Sequence, residues 1–116
     1  MTENLIDREA WETMKAMTGP EFLASLIDVF LSDSPELIQQ MHSGLKAGDV
    51  ELVRRAAHSL KSNSASFGAD RLAGAARDLE MAAKNGSLEG GESKLAVIES
   101  EYTQLIPVIM ELKNEC

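Results

Sequence analysis

The sequence predicts an all-α fold, an antiparallel four-helix bundle with a short additional helix at its N-terminus. Three observations carry that expectation. Aromatic residues make up only 4% of the 116-residue chain while Ala and Leu supply 14 each, which suits helices and leaves little bulk for a β core. Apolar residues recur at steps of three and four over long stretches, with no strand-like alternation. Glycines and prolines cut the chain into about five such stretches, with no linker long enough to separate domains, so residues 1–116 read as one domain.

Asp7 is positioned to cap a first helix that runs to about Met17, where Thr18-Gly19-Pro20 stops it and starts the next. From Phe22 onward Leu23, Ile27, Phe30, Leu37, Met41 and Leu45 mark one face of a second helix, which Gly48 ends. Pro35 removes a helical hydrogen bond in its middle, but the apolar face stays in register across it, so one kinked helix is expected. Asp49 caps a third helix through Phe67, ended by Gly68 in the left-handed conformation open to glycine. Asp70 caps a fourth, ended by Gly86. A hinge, SLEGGES, precedes a fifth from about Glu92, whose stripe is Leu95, Ile98, Tyr102, Leu105, Ile109 and Leu112. Pro107 implies a kink or frayed end there. Four of these helices bury their apolar stripes best against one another, and the first lies across one end.

Composition narrows function. At 44% hydrophobic and 26% charged, the chain is neither disordered nor a membrane protein. Nineteen acids against 11 bases give a net charge of −8, which opposes binding to nucleic acid or anionic lipid. Cys116 is the one cysteine, so neither an intrachain disulfide nor a Cys-based zinc site is available. The N-terminus lacks a secretory signal and no apolar run approaches the roughly 20 residues of a membrane span, which points to the cytoplasm.

The charge is unevenly spread. Residues 1–49 carry net −6 and residues 87–116 net −4, whereas residues 50–86 carry net +2. On the third helix Val53, Ala56, Ala57, Leu60, Ser64 and Phe67 share one face, the core side. Arg54, His58, Lys61, Ser62 and Ala65 fall opposite, with Arg55 at their edge. An exposed imidazole with three cations within a turn is a place to hold a phosphate, because Lys and Arg donate charge-assisted hydrogen bonds to its oxygens. Ser62 and Ala65 are short and leave the ring open to another protein.

The stretch AHSLKSNSASFGADRLAGAARDLE closely resembles the signature of histidine-containing phosphotransfer (HPt) domains, through Ala57, His58, Leu60, Lys61, Ser64, Gly68, Leu72, Leu79 and Glu80. FLASLIDVFLSDSPELIQQM and LKAGDVELVRRAAHSL are similar to the family's preceding helix and turn, so the resemblance spans about residues 5 to 112. One departure is Ser62, where the family usually carries glycine.

The resemblance implies a four-helix-bundle phosphorelay protein whose His58 takes a phosphoryl group from, and returns it to, aspartates of response-regulator receiver domains. A hybrid sensor histidine kinase would be a further partner. Nε2 is the expected nucleophile, Lys61 the group that neutralises the phosphoryl oxygens, and Arg54 and Arg55 its assistants. Glu80 is placed either to hold the other ring nitrogen, as a Gln or Glu does in relatives, or to pair with Arg77 or Lys84 on its own helix. No phosphate-cradling loop or ATP site is recognisable, so a carrier without kinase activity of its own is expected, with no cofactor and any Mg²⁺ supplied by the receiver. Because four helices close their own core, a monomer is expected. A chain that starts at Met1 and holds one domain reads as free-standing, although a phosphotransfer module of a chemotaxis-type kinase has the same features. A helical adaptor that binds receivers or kinases without transfer is the alternative. His42 is read as favouring a negative helix end, and the six methionines as core filling, with Met14 or Met17 available to a docking surface.

Overall fold

The computed structural model describes residues 5–115. They form α1 (Arg8–Thr18), α2 (Pro20–Ala47), α3 (Val50–Ser66), α4 (Asp70–Lys84) and α5 (Gly91–Asn114), with no strand among the described residues. Both α2 and α4 pack against α3 and α5, so the four longer helices close into a ring, and the short turns between them make neighbours antiparallel. Cys116 lies outside the described residues.

The Asp7 carboxylate accepts hydrogen bonds from the Glu9 and Ala10 amides at 3.0 and 3.3 Å, which caps α1. The Asp7 amide donates to the Gly68 carbonyl at 2.7 Å, so the start of α1 is tied to the turn between α3 and α4. Gly68 has φ of 76°, and a Cβ there would lie 2.8 Å from the Asp7 carbonyl, so glycine meets a backbone need and a close approach together. Trp11 is fully buried and joins Phe67, Phe30 and Tyr102 in a chain of ring contacts with centroids 5.4 to 6.4 Å apart, which links α1, α2, α5 and the end of α3.

The second helix corrects the sequence reading in detail. It runs unbroken through Pro35, but its buried face is Leu23, Ile27, Phe30, Ser34, Ile38, Met41 and Gly44, while Leu37 and Leu45 are half-buried. A polar residue was not expected in that stripe. Ser34 is fully buried because its hydroxyl donates to the Phe30 carbonyl at 2.7 Å and also bonds the Tyr102 hydroxyl, so it carries no unpaired group into the core. With Ser34 included, the steps stay at three and four and lead to Ile38. Gly44 completes the face because α3 comes too close for a side chain.

Asp49 caps α3 as expected, accepting from the Leu52 amide at 3.1 Å. Asp70 does not cap α4: Ala69 holds that position without a side-chain bond, and Asp70 is the first helical residue, where its charge favours the helix N-terminus. The expected stripe of α5 is buried in full, with Gly91 and Val108 added, and the helix continues through an exposed Pro107. The methionines depart from the expectation of core filling. Met41 is fully buried, Met14 is half-buried, and Met17, Met81 and Met110 are exposed. No helix among the described residues is long and apolar enough to cross a membrane.

Candidate functional site

The buried face of α3 consists of Val53, Ala56, Ala57, Leu60 and Ser64, which turns His58, Ser62, Ala65 and Arg55 to solvent. Small residues on the inner face let α4 approach closely, and the α3/α4 pair is the most extensive helix contact in the bundle. That approach brings Glu80 of α4 beneath the histidine. Its Oε2 lies 2.6 Å from His58 Nδ1, with the glutamate side chain 9% exposed and the imidazole 54% exposed.

Lys61, one turn after His58, places Nζ 2.7 Å from the other carboxylate oxygen, Oε1. That oxygen has no well-directed hydrogen bond, so the contact is one of charge. Burial alone would raise the Glu80 pKa, but the close contacts with Lys61 and His58 outweigh it and hold the carboxyl below its ordinary value of 4.5. Glu80 is therefore an anion near neutral pH. An ionised carboxylate only accepts, so Nδ1 carries a proton, and in the neutral imidazole the lone pair is then on Nε2, on the open side.

Of the two roles the sequence left open for Glu80, the structure places it on His58 and Lys61, with no ion pair to Arg77 or Lys84 among the described residues. The cations are less available than their spacing suggested. Arg54 is held by Glu51 through Nε to Oε2 at 3.0 Å and Nη2 to Oε1 at 2.5 Å, a pairing that lowers the Glu51 pKa and raises that of Arg54. Lys61 faces Glu80. Arg55 is exposed and has no ion pair among the described residues.

His58, Ser59, Ser62 and Asn63 of α3 share an open depression of about 470 Å³ with Asp33, Glu36, Leu37 and Gln40 of α2. It continues through Asp33 and Asn63 into a more apolar stretch lined by Leu26, Val29, Phe30, Ser66 and Phe67, and through Met14 to the outer face of α1 and Met17. Asp33 and Glu36 were not singled out as site residues in the sequence. Their signal is spacing: on one helix they lie three apart, with Gln40 four further on, so all three share a face. His42 Nε2 meets Glu99 Oε1 of α5 at 3.1 Å, a partner that the sequence reading did not name. Among the described residues no group of three or more His, Cys, Asp or Glu side chains is arranged to hold a metal.

A family model described as the Hpt domain matches residues 25–107. The chain belongs to the Hpt domain family. That span contains every residue of the site, from Asp33 to Glu80. Among curated proteins, the phosphorelay protein LuxU of Vibrio cholerae is 34% identical over 70 residues, 60% of this chain and 62% of that protein. LuxU of Vibrio harveyi is 28% identical over 89 residues, 77% of this chain and 78% of that protein. This chain thus spans under two thirds of the first relative's length. The crystal structure of histidine-containing phosphotransfer protein B from Pseudomonas aeruginosa PAO1 is similar across 97% of this chain and 96% of that one, with a TM-score of 0.86 and 29% identity.

Proposed function

We propose that this Hpt protein is a phosphorelay carrier in which His58 Nε2 receives a phosphoryl group from a receiver aspartate and passes it on. The observation that carries this reading is the 2.6 Å contact between Glu80 and His58 Nδ1, which selects the neutral tautomer whose lone pair is on Nε2. In the transfer, the Nε2 lone pair forms the N–P bond while the P–O bond to the aspartate breaks and its electron pair leaves with the carboxylate. Nδ1 keeps its proton. The ring therefore gains positive charge as the bond forms, next to an anionic Glu80 that opposes it without reorganising.

The remaining work is positioning and charge neutralisation. Arg55 is free to meet the phosphoryl oxygens, and Lys61, with Arg54 beside it, reaches them by leaving its carboxylate partner. Ser62 and Ala65 keep the ring accessible. The receiver lies along the depression between α2 and α3, whose apolar continuation towards Met14 and Met17 gives it a surface to bury. The donor of the phosphoryl group is external, since a carrier of this kind has no kinase activity of its own. Residues 1–116 act as one domain, as a cytoplasmic monomer, with a receiver and a hybrid sensor histidine kinase as partners.

Incubation with a phosphorylated receiver tests the proposal. The expected product is an acid-labile, base-stable phosphate on the wild-type chain and none on His58→Ala. Label retained by His58→Ala would overturn it.

A further inference from the structure

Several carboxylates of this chain face a cation: Asp28 meets Lys113, Glu80 meets Lys61, and Glu101 meets Arg71. Asp33 and Glu36 do not. Both are exposed, neither has an ion pair among the described residues, and both line the depression that holds His58. The histidine therefore sits between two unlike walls. On the α3 side the depression is lined by His58, Ser59, Ser62 and Asn63, while Lys61 is turned to Glu80 of α4 and Arg54 is held by Glu51; on the α2 side are two uncompensated carboxylates.

While water fills the depression, those carboxylates are solvated at no cost. A docked partner expels that water, and a desolvated carboxylate without a counter-charge is strongly unfavourable. The cost falls on any partner that sets an acidic or apolar surface against α2, and it disappears for one that sets Lys or Arg there. Charge of this kind acts on encounter rate and on choice between partners more than on total affinity.

We propose that Asp33 and Glu36 are specificity determinants that select a receiver carrying a cationic side chain over α2. This rests on the phosphorelay reading above.

The test uses Asp33→Lys/Glu36→Lys and the milder Asp33→Asn/Glu36→Gln in the full chain, with a receiver chosen from a panel because it transfers phosphate to the wild type. At low ionic strength the charge reversal lowers kcat/KM for transfer by about tenfold or more and the neutral variant by about threefold, and both deficits shrink at ~0.5 M salt. Phosphoramidate, a small donor that gives up its phosphoryl group to Nε2 and releases ammonia, labels His58 without docking. Its rate does not fall in either variant. If the reversed variant does not fold, the neutral one carries the same comparison. Wild-type-like transfer by the variants at low salt overturns the inference. Failure of every receiver to label the wild type contradicts the phosphorelay reading itself.

Discussion

Glu80 of α4 reaches across to His58 of α3 and holds its Nδ1 at 2.6 Å, so the ring presents Nε2 to solvent. The bond links fold to chemistry. Small residues on the inner face of α3 bring α4 close, and that spacing lets a largely buried carboxylate stand under an exposed imidazole. Lys61 holds the same carboxylate as an anion.

Glu80→Gln still accepts a hydrogen bond from Nδ1 but has no charge to oppose the positive charge that develops on the ring. Transfer should slow by about tenfold, the rate equivalent of ~1.4 kcal/mol. Glu80→Ala removes the acceptor as well and frees the ring to adopt either tautomer, so it should be slower still. Rapid-quench transfer kinetics would check the order wild type, Gln, Ala; a Gln variant slower than Ala would contradict the tautomer role.

The pairing of Glu80 also sets an acid limit on stability. Its folded pKa lies below its ordinary value of 4.5, so the folded state binds the proton less readily than the unfolded chain does. The contribution is fully present above about 4.5 and is lost as pH falls below that value towards the folded pKa. The difference in Tm between wild type and Glu80→Gln should therefore be constant from neutral pH to about 5 and shrink below that. A difference that stays constant down to about pH 3 would show that the carboxylate is not stabilised as an anion.

Two glycines should respond oppositely to alanine. A Cβ on Gly44 would lie 2.6 Å from Val53 Cγ2 and 3.3 Å from the Asp49 carbonyl, so Gly44→Ala must push α3 away from α2. It should destabilise by about 1–3 kcal/mol. A Cβ on Gly74 meets nothing within 4 Å on the exposed side of α4, so Gly74→Ala should stabilise by about 0.5–1 kcal/mol through helix propensity. Urea midpoints of the two variants read both signs.

Ser62 and His58 lie one turn apart and open into the same depression. Ser62→Leu adds bulk where a partner approaches, so it should reduce transfer from a receiver by about tenfold or more while leaving phosphoramidate labelling of His58 intact. Equal losses in both assays would mean that the side chain acts on the ring rather than on docking.

Much of this was legible in the sequence. Helix ends followed from Asp7, Gly19-Pro20, Asp49 and Gly68 because caps and left-handed glycines are local features. The outward placement of His58 followed from the period of α3. What was not legible depended on partners distant in sequence. Ser34 reads as polar, and only its bonds to Phe30 and Tyr102 make it a core residue, so the buried face of α2 was read through Leu37 instead of Ile38. Arg54 and Lys61 read as free cations, yet Glu51 and Glu80 engage them. Asp33 and Glu36 were unremarkable until α2 packed beside α3 and set them across from the histidine.

The central claim is that Nε2 of His58 carries the phosphoryl group, with Nδ1 bound to Glu80. Phosphorus-coupled NMR of the ¹⁵N-histidine-labelled chain after phosphorylation by a receiver tests it most directly. The account predicts one phosphorylated histidine, His58, with ³¹P coupling to Nε2 and a proton retained on Nδ1. Coupling to Nδ1, or phosphorus on His42 rather than His58, would contradict it.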